Sequence, residues 1–243
     1  MRFLSPGGLE VPAVTREQME AVDARATSGS GPSLPQMMEN AGRSLAALAL
    51  RGLGGSWRDG QVVVLAGGGG NGGGGICAAR HLLNHGARVS LLVAADHALD
   101  PINRMQHELY RASDGPEVDR ASLPSLTPDL IIDALIGYGL RRAPSGEIAE
   151  LIHWANRAPA PVLALDLPSG IHATTGAAAG AAIMARTTLT LALPKRGLRA
   201  PEAGDLWLAD IGIPRSVFTA VGVEYATPFG CGWEIPLVRE PTA

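Results

Sequence analysis

Apolar positions follow two patterns that take turns along this chain. Short continuous runs of Val, Leu, Ile and Ala occur at QVVVLA (residues 61–66), ARVSLLVAA (87–95), DLIIDALIG (129–137), PVLALDLPSG (161–170) and TTLTLALP (187–194), with a sixth candidate at LWLADIG (206–212). Such runs predict strands covered on both faces. Between them apolar residues recur every three or four positions, as at Met37, Met38, Ala41, Leu45 and Leu48 within residues 34–53, and that spacing predicts a helix. Further helices are predicted at 15–27, where Thr15 and Gln18 form a capping-box pattern, at 76–86 with Gly86 as its stop, at 101–112 and at 145–158. Strands alternating with helices predict an α/β fold with a mainly parallel sheet and helices on both faces.

The nine residues GGGGNGGGG (67–75) read as a turn between the first of these strands and the helix that follows. Residues 172–185, rich in Ala, Thr and Gly, predict a long ordered loop or a short helix, and no internal repeat is evident. The segment after Val223 carries Pro228, Gly230, Gly232 and Pro236 without a clear period, so it is expected to be an irregular tail. The expected organisation is an extension at 1–13, one domain at 14–223 and a tail at 224–243.

Composition narrows the function. At 243 residues the chain suits one large domain, and with 46% apolar but only 4% aromatic residues its core must be built from aliphatic side chains at close helix-to-sheet distances. A formal net charge of -3 offers no broad cationic face, which disfavours nucleic-acid binding. Cys77 and Cys231 cannot make a disulfide framework and lack zinc-ligand spacing. No segment has the apolar length of a membrane span, and residues 1–10 lack the apolar core of a signal peptide, so the expected location is cytoplasmic with no membrane partner.

In an open parallel sheet ligands bind outside the carboxyl ends of the strands, and several strand ends here carry candidate chemistry. The glycine loop lets backbone approach a phosphate at a helix N-terminus. A run of eight glycines in nine residues satisfies almost any glycine pattern, however, and no Lys follows in the arrangement of an ATP phosphate loop. Asn71 is the one side chain in that run; it either faces the site or serves a turn. Asp133 and Asp166 end two strands, where a carboxylate can exchange protons, bind a cation or cap the next turn. Ser169 could offer oxygens to a hard cation or bond its own turn; no GxSxG motif marks it as a nucleophile. Gly137, Tyr138 and Gly139, with Arg141 and Arg142, could close over phosphates or form a solvated turn. His81 and His85 have the i, i+4 spacing of metal ligands but no HExxH glutamate, and read as a surface pair; Cys77, Met37 and Met38 read as packing residues.

Taken together these residues resemble the NAD(P)H-hydrate epimerases, the YjeF N-terminal-type domains. The resemblance runs from about residue 14 to about residue 214 and rests on MENAG (38–42), the glycine turn followed by AARHL (78–82), DALIGYGL (133–140), DLPSG (166–170) with Thr175 and Gly176, and LTLALPKRGL (189–198). It implies a three-layer α/β/α Rossmann-like sandwich, usually a homodimer, that interconverts the R and S forms of NADHX or NADPHX, nicotinamide nucleotides hydrated at carbon six. A separate NAD(P)H-hydrate dehydratase would act downstream. Carried over by position, Asp166 would be the acid/base residue and a substrate contact. Asn71, Asp133 and Ser169 would surround a potassium ion. The substrate loops would be Gly70, Asn71, Gly72, Gly73 and Gly74, and Gly137, Tyr138, Gly139, Leu140, Arg141, Arg142 and Ala143.

Two positions inside the first loop depart from the family pattern, Gly70 and Gly74 standing where Asn and Asp are usual, and a third, His172, stands beyond DLPSG where an acidic residue or Asn is frequent. One lost charged hydrogen bond costs about 1.5–3 kcal/mol, so these departures bear on activity rather than fold. Two other functions compete. A non-catalytic nucleotide-binding or protein-interaction scaffold of the same fold would explain the altered loop. An NAD-dependent dehydrogenase would need an acid about twenty residues beyond the glycine turn, for which Asp96 is the nearest candidate.

Overall fold

The computed structural model describes residues 1–94 and 99–241; Asp96 lies outside the described residues. The predicted helices form at Arg16–Arg25 (α1), Leu34–Leu53 (α2), Gly70–Asn84 (α3), Pro101–Arg111 (α4) and Gly146–Arg157 (α5), joined by a short Arg215–Ala220 (α6). Thr15 caps α1 with the expected box: its hydroxyl accepts from Gln18 N and its own N–H donates to Gln18 Oε1. The strands are Arg2–Leu4 (β1), Glu10–Val11 (β2), Gln61–Ala66 (β3), Arg88–Val93 (β4), Leu130–Ala134 (β5), Val162–Leu165 (β6), Thr187–Leu191 (β7), Asp205–Ala209 (β8) and Glu234–Glu240 (β9).

These strands make one sheet in the order β2-β1-β9-β8-β7-β6-β5-β3-β4, with the six from β4 to β8 mutually parallel. The alternation of side chains splits the core into layers. Val62, Val64, Ile132 and Ala134 meet α2 and α3 on one face. Val63, Leu65 and Ile131 meet Ile148, Leu151 and Ile152 of α5 on the other. The chain leaves β3 for β4 on one side and returns to β5 on the other, so the strand order reverses between β3 and β5. A ligand crevice opens at such a switch point, at the strands' carboxyl ends.

Three expectations need correction. The segment after Val223 is not irregular throughout: β9 pairs antiparallel with β8 and with β1, burying Ile235 and Leu237. Pro236 argued against a strand, but at that position only β8 is a neighbour, since β1 pairs with residues 238–240, and an edge position tolerates the missing N–H. Residues 1–13 likewise belong to the sheet, through the β1–β2 hairpin that buries Phe3 and Val11. Third, most of the glycine run is helix, because α3 starts at Gly70. Each glycine in a helix costs about 1 kcal/mol against alanine, and packing overrides that cost. A Cβ on Gly72 would meet Gly67 O at 1.7 Å, one on Gly73 would meet Asn103 Oδ1 at 2.1 Å, and one on Gly75 would meet Ala134 Cβ at 2.4 Å. Residues 172–185 form a loop with one bridge, Ile171 to Ala178.

Candidate active site

The amino end of α3 sits at the switch point, where its free N–H groups and helix dipole favour an anion. Asn103 of α4, fully buried, holds the loop before it by donating from Nδ2 to Gly68 O and Gly69 O, each at 2.7 Å. Nothing in the spacing of the sequence singled out Asn103.

Asp133 closes β5 and is wholly buried. Its Oδ1 accepts from Ser169 Oγ at 2.6 Å and from Leu135 N at 3.2 Å, and its Oδ2 accepts from Ser169 N at 2.8 Å. Burial pushes its carboxyl up to about 6, against the opposing pull of the Ser169 bonds. Ser169 Oγ also accepts from Ile136 N at 2.8 Å and lies 3.2 Å from Ile136 O. Asn71 stands beside the next residue: a Cβ on Gly137 would be 3.0 Å from Asn71 Oδ1 and 3.2 Å from Asp166 Oδ2. The Nδ2 of Asn71 is buried without a hydrogen-bond partner. Asp133 and Ser169 are therefore bonded directly, while Asn71 approaches the pair across residues 136–137.

Asp166 ends β6 in a left-handed turn, φ 68°, a conformation that Asp adopts more readily than most residues. The turn leaves its carboxylate buried at the strand end, with Oδ2 accepting from Tyr138 N at 3.1 Å. Oδ1 accepts from Lys195 Nζ, which also donates to Leu191 O at 2.9 Å. Lys195 is itself only 1% exposed, so the two charges compensate each other out of water. The hydroxyl of Tyr138 donates to Asp23 of α1. Burial raises the Asp23 carboxyl above its ordinary range, and burial together with the Asp23 charge raises the Tyr138 phenol. Arg141 reaches Glu20 at 3.6 Å, so α1 is tethered to the 137–143 loop at two points.

A cavity of about 1040 Å³ opens over these groups. It is lined by Gly70, Asn71, Gly74, the whole loop from Gly137 to Ala143, Asp166 and Lys195, with Met37, Met38, Leu165 and Leu191 as its apolar wall. Of the residues singled out in the sequence, Gly72 and Gly73 lie buried beneath it, and Asp133 and Ser169 stand behind its lining. His172 turns into its own loop, where Nδ1 accepts from Thr174 N and Thr175 N. Lys195, Asp23 and Asn103 escaped the sequence reading. A signal for the first was available: of 20 basic residues, Lys195 alone is lysine.

The helix bearing the glycines is fastened to α2 by another polar cluster. Glu39 accepts from Arg80 at 2.7 Å and meets His81 Nε2 at 2.8 Å and Cys77 Sγ at 3.3 Å. Burial raises the Glu39 carboxyl, but the Arg80 and His81 hydrogen bonds outweigh it and hold the group below its ordinary range. Burial and the nearby Glu39 charge push the Cys77 thiol up to about 12, so it stays protonated and unreactive. His81 has Glu39 as its partner rather than joining His85 in a metal site.

Comparison with known proteins shows the family of the chain. Residues 34–197 match the family described as YjeF-related protein N-terminus. Over 98% of its length the chain is 44% identical to a protein named NAD(P)H-hydrate epimerase from Dehalogenimonas lykanthroporepellens, covering 97% of that protein. It is 37% identical to a bifunctional NAD(P)H-hydrate repair enzyme of Salinibacter ruber, matching over 84% of this chain but spanning 41% of that one. Among solved structures, yeast ynu0 superposes with a TM-score of 0.81 over 93% of this chain and 100% of the yeast chain, at 20% identity, a likeness of fold.

Proposed function

The chain belongs to the YjeF-related N-terminal family, and from that premise we propose that it is a nicotinamide-nucleotide repair enzyme that epimerises R- and S-NAD(P)H-hydrate. The observation that carries this reading is Asp166: a buried carboxylate at a strand end, fixed by Tyr138 N and Lys195, lining a cavity that the amino end of α3 also lines. The hydrate differs from its epimer only at C6, which bears a hydroxyl beside ring nitrogen N1. Inverting that centre needs a proton to leave and return at the hydroxyl, and a positioned carboxylate does this. Asn71, Gly70 and Gly74 with the loop from Gly137 to Ala143 hold the nucleotide, its phosphates lying toward the glycine backbone and Arg141 and Arg142.

A potassium ion fits the chemistry of Asp133, Ser169 and Asn71. Asp133 is a buried carboxylate whose hydrogen-bond partners are all neutral, and Asn71 Oδ1 lies nearby, 3.0 Å from where a Cβ on Gly137 would stand. Carboxylate, hydroxyl, amide and the Ile136 carbonyl are hard oxygen donors suited to such a cation. When bound it supplies a fixed positive charge that organises the loops. The residues themselves set the geometry: Ser169 joins β5 to the DLPSG turn, and Ile136 N leads into the substrate loop.

The bifunctional relative supports a NAD(P)H-hydrate dehydratase acting on the product. A homodimer in the cytoplasm completes the proposal; no helix among the described residues is long and apolar enough to cross a membrane.

The test is epimerisation of purified S- and R-NADHX, with potassium varied and Asp166→Asn beside the wild type. Potassium-dependent interconversion above the uncatalysed rate, lost in the variant, supports the reading. Its absence in folded protein that still binds the nucleotide points to a binding module.

A further inference from the structure

One lysine in a chain otherwise supplied with arginine, buried against the proposed acid/base residue, calls for a lysine property that arginine lacks. A guanidinium meets carboxylates well but does not give up its proton in proteins, whereas an ammonium does. Two of the Lys195 N–H bonds go to Asp166 Oδ1 and Leu191 O, which leaves a third donor on an ammonium group that stands over the Tyr138 ring, 5.7 Å from its centroid, in a residue lining the cavity.

Resting on the epimerase reading above, we propose that Lys195 is the acid partner of Asp166 and that the hydrate epimerises by opening and reclosing its ring. The C6 hydroxyl and N1 are both bonded to C6, so two catalytic groups in direct hydrogen-bond contact can address both atoms from one side. Expelling the hydroxyl and readmitting water on the other face would need groups on opposite faces of the ring, which a contacting pair does not offer.

The step balances. Asp166 takes the hydroxyl proton, the O–H electron pair forms C6=O, the C6–N1 bond breaks with its electrons going to N1, and Lys195 gives N1 a proton. Rotation about the C5–C6 bond presents the other face of the aldehyde. N1 then attacks C6 while returning its proton to Lys195, and the oxygen regains a proton from Asp166. Both groups end as they began, with no cofactor consumed.

Two measurements test this, and neither depends on the other. In water enriched in oxygen-18, wild-type epimerisation is expected to leave the C6 oxygen unlabelled over a single turnover. Incorporation of solvent oxygen at each inversion overturns ring opening. In the second, Lys195→Arg and Lys195→Met are expected to lose at least about 100-fold in kcat, the scale of a removed general acid, with KM for NADHX changing much less. Small alkylamines should restore part of the activity of Lys195→Ala. Wild-type kcat in Lys195→Arg overturns the acid role, since it would show that charge alone suffices. Cooperative thermal unfolding identifies any variant that fails to fold, and the oxygen label needs no variant at all. Loss of turnover in Asp166→Asn with normal turnover in Lys195→Arg sinks this inference and leaves the epimerase reading standing; no turnover in the wild type sinks the latter.

Discussion

Gly72 lies so close to Gly67 that a methyl group on it would come within 1.7 Å of the Gly67 carbonyl oxygen. The contact folds the glycine loop back under the first turn of α3, and it separates glycines that are sterically required from those that are not. Gly72→Ala should destabilise the protein by about 3 kcal/mol or more, at the upper end of overpacking effects. Gly70 has open space around its would-be Cβ, so Gly70→Ala should be neutral or stabilising by about 0.4–1 kcal/mol. Urea unfolding of the two variants checks this; equal midpoints would mean the loop relaxes freely around Gly72.

The same space bears on the two departures from the family pattern. An Asn at position 70 meets no obstruction, and an Asp at position 74 meets only Leu165 Cδ2, at 2.8 Å, the end of a flexible side chain. Gly70→Asn with Gly74→Asp should therefore fold and lower KM for the hydrate about tenfold, the equivalent of one charged hydrogen bond of about 1.4 kcal/mol. An unchanged KM in steady-state assays would mean that backbone alone serves the nucleotide here.

Potassium should raise the melting temperature of the wild type relative to equal sodium, because a ligand that binds only the folded state stabilises it by mass action. Asp133→Asn should abolish that difference and, by weakening buried hydrogen bonds, cost about 1–3 kcal/mol without added salt. A variant that still responds to potassium would place the cation elsewhere.

The Glu39 cluster gives a pH signature. Its folded carboxyl titrates below the ordinary value of 4.5, so its contribution is fully present above that value and is lost as pH falls through the folded pKa. Because the side chain is 39% exposed, the contribution is screened to about 1 kcal/mol or less. Glu39→Gln should be less stable than the wild type at pH 7 and converge with it once pH has fallen through the lowered folded pKa, below the ordinary value of 4.5. Parallel stability curves from denaturant titrations would refute a role for the charge.

Strands β3 to β8 and helices α1 to α5 were legible because each carries its own period and many carry their own caps, as Thr15 and Gln18 do for α1. Asp133 and Asp166 were legible for a related reason: a carboxylate that closes an apolar run must emerge at a strand end. The β1 and β9 strands were not, because β1 has only three residues and Pro236 lies within β9, and each is stabilised by a partner distant in sequence. Phe3 pairs with Arg239, across nearly the full length of the chain.

The sequence by itself determined the layered α/β architecture, the carboxyl edge as the place where the candidate site residues gather, and the family motifs in their order, since all of these depend on local period and composition. Tertiary structure decided which side chains meet. Helix propensity opposes the glycines of α3, yet Gly73 and Gly75 are held in it because α2, α4 and the sheet approach too closely there for a Cβ. Lys195 lies 29 residues from Asp166, and only the parallel pairing of β6 with β7, which sets the turn beyond β7 beside the end of β6, brings ammonium and carboxylate together. No local pattern encodes that contact, because it is made by the register of the sheet rather than by either residue's neighbours.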